Sequence, residues 1–213
     1  MIARPSATWR AKARTALFGI EAPAPQVVLS PFTTVLEAVA PASSPAPGWW
    51  PRADAHGVTV VRVPQGSACL DAVLCLEPGT SVTFVGACGT LRQGGPSVVG
   101  AMVEADRAVA YDGTTGRRTW ATAPIAPTVA VATARSLADS SAGHHRLDAD
   151  CVDLETAWVL AGAAVAGCRA RALLAITDGN REGAVFESDF GVVTEHLLRV
   201  ARLALLPHSG SGT

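Results

Sequence analysis

The feature that most constrains the fold is a segment, DLETAWVLAGAAVAGC at residues 153–168, that is apolar on nearly every side when drawn as a helix. A helix without a polar face has to be buried all round. It is followed almost directly by RALLAIT (171–177), an apolar run of strand length. Since a buried helix and a buried strand both need other elements to cover them, this segment predicts a layered α/β core.

Apolar runs of strand length alternate with helical segments along most of the chain. Strands are predicted at residues 26–30, 58–63, 81–89, 98–113, 128–133 and 171–177, and helices at 33–40, 67–76, 153–168 and 187–206. Ser67 and Asp153 are the candidate N-caps. The alternation favours an α/β fold, a single domain with a mixed β-sheet flanked by helices. We expect residues 1–25 to form a loosely packed N-terminal extension, 26–206 the domain and 207–213 a tail.

Composition and charge exclude several classes of function. Hydrophobic residues make up 49% of the chain and charged residues 16%, as in a folded globular protein. The net charge of −1 gives no basic surface for nucleic acid or for an anionic membrane. No run reaches the roughly 18 apolar residues of a membrane helix, and no apolar stretch of a signal peptide follows the basic N-terminus. The low charge density suggests further surface hidden in an oligomer.

The cysteines and histidines give no sign of a metal site. The five cysteines are Cys69, Cys75, Cys88, Cys151 and Cys168. Because no two form a CxxC pair and their number is odd, we interpret them as reduced, mostly buried thiols of a cytoplasmic protein. The histidines are not spaced against them as zinc ligands. His144 and His145 stand side by side in a polar segment, and we interpret both as solvent-exposed loop residues.

Three stretches carry motifs in a recognisable order. VVLSP (27–31) ends the first strand, VTFVGACGTL (82–91) contains a G-[SA]-x-G turn, and CVDLETAWVLAGAAVAGCRARALLAITD (151–178) joins DLET at the start of a buried helix to Thr-Asp at the end of a strand. Their order and spacing resemble the nucleoside phosphorylase superfamily, which includes purine nucleoside phosphorylases, uridine phosphorylases and methylthioadenosine/adenosylhomocysteine nucleosidases. The resemblance covers residues 26–206. It implies a single α/β domain around a distorted mixed sheet, assembled as a homo-oligomer (dimer, trimer or hexamer), with a nucleoside as small-molecule partner.

The resemblance also implies two carboxylates at one nucleoside site. Breaking an N-glycosidic bond passes through an oxocarbenium-like transition state. A carboxyl group can protonate the base as it leaves, and this role falls to Asp178, with Thr177 beside it. Glu155 would hold the ribose hydroxyls and fix the sugar relative to the nucleophile. The other substrate-binding residues that the resemblance implies are Val152, Leu154, Gly86, Ala87, Cys88 and Gly89. It implies no cofactor and no metal.

Taken one at a time, the two acids have ordinary structural explanations. Glu155 lies in the first turn of the predicted helix, where the helix dipole favours an acid. Asp178 precedes Gly179, and Asp-Gly is a common turn pair. Only their joint fit to the motif order favours a site.

The residues that hold phosphate in bacterial purine nucleoside phosphorylases are replaced in this chain. Phe32 stands where those enzymes have glycine, and Phe84 and Ala87 stand where they have arginine and serine. Phosphate needs charge-assisted donors, so we expect water to be the nucleophile. A phosphorylase with a relocated phosphate site, using Arg92 or Arg181, remains an alternative.

The nucleosidase marks are incomplete as well. Those enzymes carry an arginine four residues before the Thr-Asp aspartate, where this chain has Leu174, and Glu37 is the single acid near the first strand. The leaving-group and sugar ends of the site match the family, whereas the nucleophile end differs. The prediction is therefore hydrolytic cleavage of a purine-type nucleoside or nucleoside-like metabolite. A non-catalytic or repurposed nucleoside-binding protein of the same fold stays open as an alternative.

Overall fold

The computed structural model describes residues 2–39, 48–91, 98–120, 122–136, 148–179 and 190–205, and within them the chain forms nine strands and five α-helices. The strands are β1 Gln26–Ser30, β2 Arg52–Ala55, β3 Val58–Arg62, β4 Ser81–Thr90, β5 Met102–Ala110, β6 Thr115–Arg117, β7 Thr128–Thr133, β8 Cys151–Asp153 and β9 Arg169–Asp178. The helices are α1 Ala7–Phe18, α2 Thr33–Val39, α3 Cys69–Leu74, α4 Thr156–Ala166 and α5 Phe190–Ala204. The predicted single α/β domain with a mixed sheet is confirmed.

The strands form one mixed sheet that curls into a ring. On one side, β1 lies parallel to both β3 and β4, and β2 pairs with β3 as an antiparallel hairpin. The ring runs from β4 to β9, β5, β7 and β8 and back to β4. It can close because β4 is long: its residues from Ser81 pair with β9, and its last two, Gly89 and Thr90, also pair with β8. The carboxyl end of β4 therefore has neighbours on both sides.

The buried helix α4 packs against the ring and the hairpin that ends in β6. Trp158, Leu160 and Ala163 are buried, as expected for a helix without a polar face. At Gly116 of β6 an added Cβ would lie 2.6 Å from the backbone nitrogen of Ala161, so only glycine allows this close approach. The five cysteines are all buried, as expected from the sequence, and none of them forms a disulfide bond in the structure. Across the described ranges, no helix has both the length and the apolar character needed to cross a membrane.

Two predicted helix boundaries are wrong. The segment at 153–168 begins as a strand, β8, and its helix starts only at Thr156. Ser67 does not cap the next helix, because Gly66–Ala68 form a short 3-10 turn before α3 and no side-chain capping bond forms there. Residues 151–153 form a strand because they pair with β4 and β7. A run of three residues carries no local pattern that would predict this pairing.

The N-terminal residues differ from the predicted loose extension. Residues 7–18 form α1, which begins with a capping bond from Ser6 and ends at Gly19, whose φ is 69°. Two arginines of α1 are buried: Arg10 donates to Glu77 Oε2 at 3.0 Å, and Arg14 donates to Glu77 Oε1 at 2.7 Å. Both arginines pair with a residue more than sixty positions away in the sequence. No local pattern could therefore show that α1 packs against the domain.

Arg14→Met is expected to lower the free energy of unfolding by about 2 kcal/mol. Arg14 also donates to two backbone carbonyls, Glu21 O at 2.6 Å and Cys75 O at 2.7 Å, and the methionine would leave these acceptors without their donor. The bond to Glu77 adds less, because the Glu77 side chain is half-exposed. Denaturant unfolding measures the loss. Lys12→Met, a change at an exposed position on the same helix, is the matched control. Equal stability of the two variants would contradict a stabilising role for the Arg14 hydrogen bonds.

Candidate active site

Three strands meet at the carboxyl end of β4. Gly89 of β4 pairs with Asp178 of β9 on one side and with Val152 of β8 on the other. An added Cβ at Gly89 would lie 2.3 Å from Asp178 Oδ1 and 3.6 Å from Val152 Cγ1. Glycine at this position therefore lets the Asp178 carboxyl lie directly against the β4 backbone. In both open and closed α/β sheets, ligands commonly bind at the carboxyl ends of the strands.

Asp178 is half-buried at the last position of β9. Its Oδ2 accepts a hydrogen bond from Thr177 Oγ1 at 3.1 Å. Burial raises the pKa of Asp178 above its ordinary value, although the bond from Thr177 acts in the opposite direction. A carboxyl group whose protonated form is favoured is suited to giving a proton to a leaving group.

Glu155 lies in the turn between β8 and α4 and is 4% exposed. Its Oε1 accepts a hydrogen bond from the Gly66 amide at 2.9 Å, in the turn before α3. Glu155 occupies the N-cap position of α4, yet its side chain makes no capping bond to the helix. Glu155 therefore lies at the N-terminus of α4 without capping it, one position before the first turn in which the sequence put it. Burial raises the pKa of Glu155 to about 8, and the neighbouring Asp153 carboxylate adds to this rise.

Asp153 caps α4 from the end of β8. Its Oδ2 accepts from the Thr156 amide at 2.8 Å and from the Thr156 hydroxyl, and its Oδ1 accepts from Thr133 Oγ1 of β7 at 2.8 Å. The capping role predicted for Asp153 is confirmed. Its bond to Thr133 was not predicted, because the partner lies 20 positions away in the sequence. The Asp-x-x-Thr spacing of Asp153 and Thr156 is the local signal for the cap.

Cys88 directly precedes Gly89 and lies near the carboxylates of Asp153 and Asp178. Its thiol is buried and forms a hydrogen bond with Cys151 of β8. This bond, burial and the nearby carboxylates of Asp153 and Asp178 all raise the pKa of Cys88. Ala87 lies elsewhere: it packs against the apolar cluster on the other face of the sheet, together with α5. The structure thus brings Cys88, but not Ala87, to the face of Asp178.

The nucleophile end of the predicted site is apolar. Phe84 and Leu174 are fully buried, and a Cβ added at Gly86 would lie 2.5 Å from the Phe84 ring and 3.2 Å from Leu174 Cδ2. Glycine at position 86 is therefore required by packing. Phe32 packs partly buried against the second cluster, with α2 and α5. Glu37 is exposed on α2.

Of the remaining predicted residues, two lie within the described part of the chain and four lie outside it. Val152 and Leu154 are half-buried at the end of β8. His144, His145, Arg92 and Arg181 lie outside the described residues. Within the part of the chain that the structure describes, no group of three or more His, Cys, Asp or Glu side chains could hold a metal ion.

Comparison with known proteins gives matches only among solved structures. No protein-family model matches the sequence, and no curated protein matches it significantly. A futalosine hydrolase mutant of Helicobacter pylori is 14% identical with a TM-score of 0.64, over 84% of this chain and 96% of that one. A 5′-methylthioadenosine/S-adenosylhomocysteine nucleosidase of the same organism is 14% identical with a TM-score of 0.65, over 84% and 97%.

An AMP nucleosidase from Bacteroides thetaiotaomicron is 20% identical with a TM-score of 0.57, over 84% of this chain and 87% of that one. Each of the three matches spans most of both chains. At such low identity the matches establish the fold. The chain therefore has the fold of the nucleoside phosphorylase superfamily, as its three motif stretches predicted.

Proposed function

We propose that this protein hydrolyses the N-glycosidic bond of a purine-type nucleoside or nucleoside-like metabolite. The observation that carries the proposal is the pairing of Gly89 with both Asp178 and Val152. Asp178 and Val152 flank the same residue of β4, and Glu155 follows Val152 by three positions, in the turn between β8 and α4. Structural neighbours named as futalosine hydrolase, methylthioadenosine nucleosidase and AMP nucleosidase support this class of reaction.

Asp178 acts as the general acid. As the bond between the anomeric carbon and the base nitrogen breaks, its proton passes to a ring nitrogen of the base, which leaves neutral. Water adds to the anomeric carbon, and one of its protons is released and replaces the one that Asp178 has given. The raised pKa of Asp178, caused by burial, keeps this carboxyl protonated at higher pH than an exposed aspartate.

Glu155 holds the sugar. A buried carboxyl with a raised pKa can donate a hydrogen bond to one ribose hydroxyl and accept one from the other. Such contacts fix the anomeric carbon relative to the attacking water. Thr177, Val152, Leu154, Cys88 and Gly89 would surround the nucleoside, whereas the space over Gly86 is filled by Phe84 and Leu174.

Water is favoured over phosphate because of what lines the nucleophile end. Phe84 and Leu174 fill the space over Gly86 with an aromatic ring and an aliphatic chain. Orthophosphate binds to charge-assisted donors, above all arginine, and these two side chains offer none. Water needs no such donors.

Base release in the absence of phosphate is the expected result of a direct assay. The protein is incubated with adenosine, inosine, guanosine, methylthioadenosine and AMP, with and without orthophosphate, and the free base is quantified by chromatography. Release that depends on phosphate would show phosphorolysis instead. Nucleoside binding by calorimetry without any turnover would show a binding protein of this fold.

A further inference from the structure

Three elements are joined beneath Glu155 by one buried group, the Asp153 cluster, made of Thr133, Asp153 and Thr156. Both oxygens of Asp153 accept hydrogen bonds, from the Thr133 hydroxyl and from the Thr156 amide and hydroxyl. The Thr133 hydroxyl in turn accepts from the Ala157 amide at 2.9 Å. All three side chains are buried. The cluster therefore ties β7, the end of β8 and the first turn of α4 together.

The cluster decides what the Glu155 side chain can do. Glu155 occupies the N-cap position of α4, where a carboxylate ordinarily accepts from the free amides of the first turn. Here Asp153 already accepts the hydrogen bond of the Thr156 amide, and Thr133 accepts that of the Ala157 amide. The Glu155 carboxyl is thus left to point to the other side, where it meets the Gly66 amide.

We propose that Asp153 is a positioning residue of this site, which caps α4 in place of Glu155 and so keeps the Glu155 carboxyl directed toward the sugar. The inference rests on the proposed function of Glu155 as the sugar ligand. Without Asp153, the Thr156 amide would lose its acceptor, and Glu155 is the nearest carboxylate in sequence that could replace it.

Asp153 also affects the ionisation of Glu155: burial is the larger cause of the raised pKa of Glu155, and the Asp153 charge adds to it. In the described part of the chain, the groups that face Glu155 are the Asp153 carboxylate from β8, the Cys69 thiol from α3 and the backbone amides of Gly66 and Leu154. Burial raises the pKa of Asp153 to about 6, although the hydrogen bonds from Thr156 and Thr133 lower it. The pKa of Glu155 is raised further, to about 8, so Glu155 carries the proton of the pair. Replacing Asp153 by asparagine removes a negative charge beside Glu155, and the pKa of Glu155 should fall toward its ordinary value.

Two sets of variants test the proposal. In Asp153→Asn, carbon-13 NMR of labelled glutamate, with Glu155→Gln for assignment, should show Glu155 titrating about one pH unit or more below its value in the unmodified protein. In Thr133→Val, KM for the nucleoside should rise about tenfold with kcat nearly unchanged, because ground-state and transition-state binding to the sugar are lost together. Thr133→Ser keeps the hydroxyl and should stay within about twofold of the unmodified enzyme.

The outcomes separate this proposal from the function itself. A purely structural defect lowers the amount of folded enzyme, which reduces kcat at unchanged KM, and that result for Thr133→Val would overturn the positioning role. So would equal behaviour of the valine and serine variants. If the unmodified protein releases no base at all, the proposed function fails, and the NMR titration alone decides: a Glu155 signal that titrates alike with and without Asp153 refutes the proposal. Should Asp153→Asn not fold, the Thr133 pair decides.

Discussion

Asp178→Asn is expected to reduce kcat/KM for base release by about 10³-fold. Asparagine has nearly the same shape, and its Oδ1 can still accept from Thr177, so the local structure stays in place. What it lacks is an acidic proton to give to the departing base. The measurement is steady-state kinetics on whichever nucleoside the unmodified protein cleaves.

The stability of this variant should not fall at neutral pH. The pKa of Asp178 is raised in the folded state, so its contribution to stability is present at low pH and is lost as pH rises through the folded pKa. Removing the carboxyl therefore costs little at pH 7 and can even be stabilising. Thermal unfolding checks this point and separates lost chemistry from lost folding.

Leaving-group chemistry sharpens the test. On a nitrophenyl riboside, whose phenolate leaves without being protonated, Asp178→Asn should retain most of the activity of the unmodified enzyme. Asp112→Asn, an exposed aspartate in the turn between β5 and β6, is the control for a simple loss of charge. Equal losses on both substrates would remove Asp178 from the role of acid, and no loss on the nucleoside would remove it from the site.

The central strands could be predicted from the sequence because burial leaves a local trace. Predicted strands 81–89 and 171–177 agree with β4 and β9 to within two residues at each end, since both are continuous apolar runs of a sheet covered on its two faces. The Thr-Asp pair at the end of β9 lies at the strand edge for the same reason. The order of the three motif stretches then predicted which α/β fold the chain adopts. The periodicity of apolar residues alone does not specify it.

What could not be predicted depends on contacts between distant positions. The Glu155 carboxyl meets the Gly66 amide across 89 positions, and Arg14 of α1 meets Glu77 across 63. The strand β8 is three residues long and exists because β4 and β7 lie on either side of it. A short apolar run before a helix looks like part of that helix until its partners are known. Thr133, the third member of the Asp153 cluster, carries no local signal at all.

Gly89→Ala is expected to lower kcat/KM by about 10²-fold while changing stability little. The new methyl group would lie 2.3 Å from Asp178 Oδ1, so the carboxyl has to move by an ångström or more. Asp178 is a half-buried side chain at a strand end, and it can rotate away at small cost in folding free energy. Its distance to the base changes, and proton transfer is sensitive to displacements of this size. Steady-state kinetics and thermal unfolding measure the two effects separately.

Gly179→Ala is the matched control, because it adds the same methyl group ninety residues further along but next to the same aspartate. A Cβ at Gly179 would meet nothing within 4 Å, so this variant should keep nearly full activity. Comparing the activities of the two alanine variants therefore tests one difference, the contact of the added methyl group with the Asp178 carboxyl. If both variants were equally active, the close approach of Gly89 to Asp178 would have no part in the reaction. If both were equally inactive, the strand edge would tolerate no added bulk, and the effect of Gly89→Ala could not be assigned to a displaced acid.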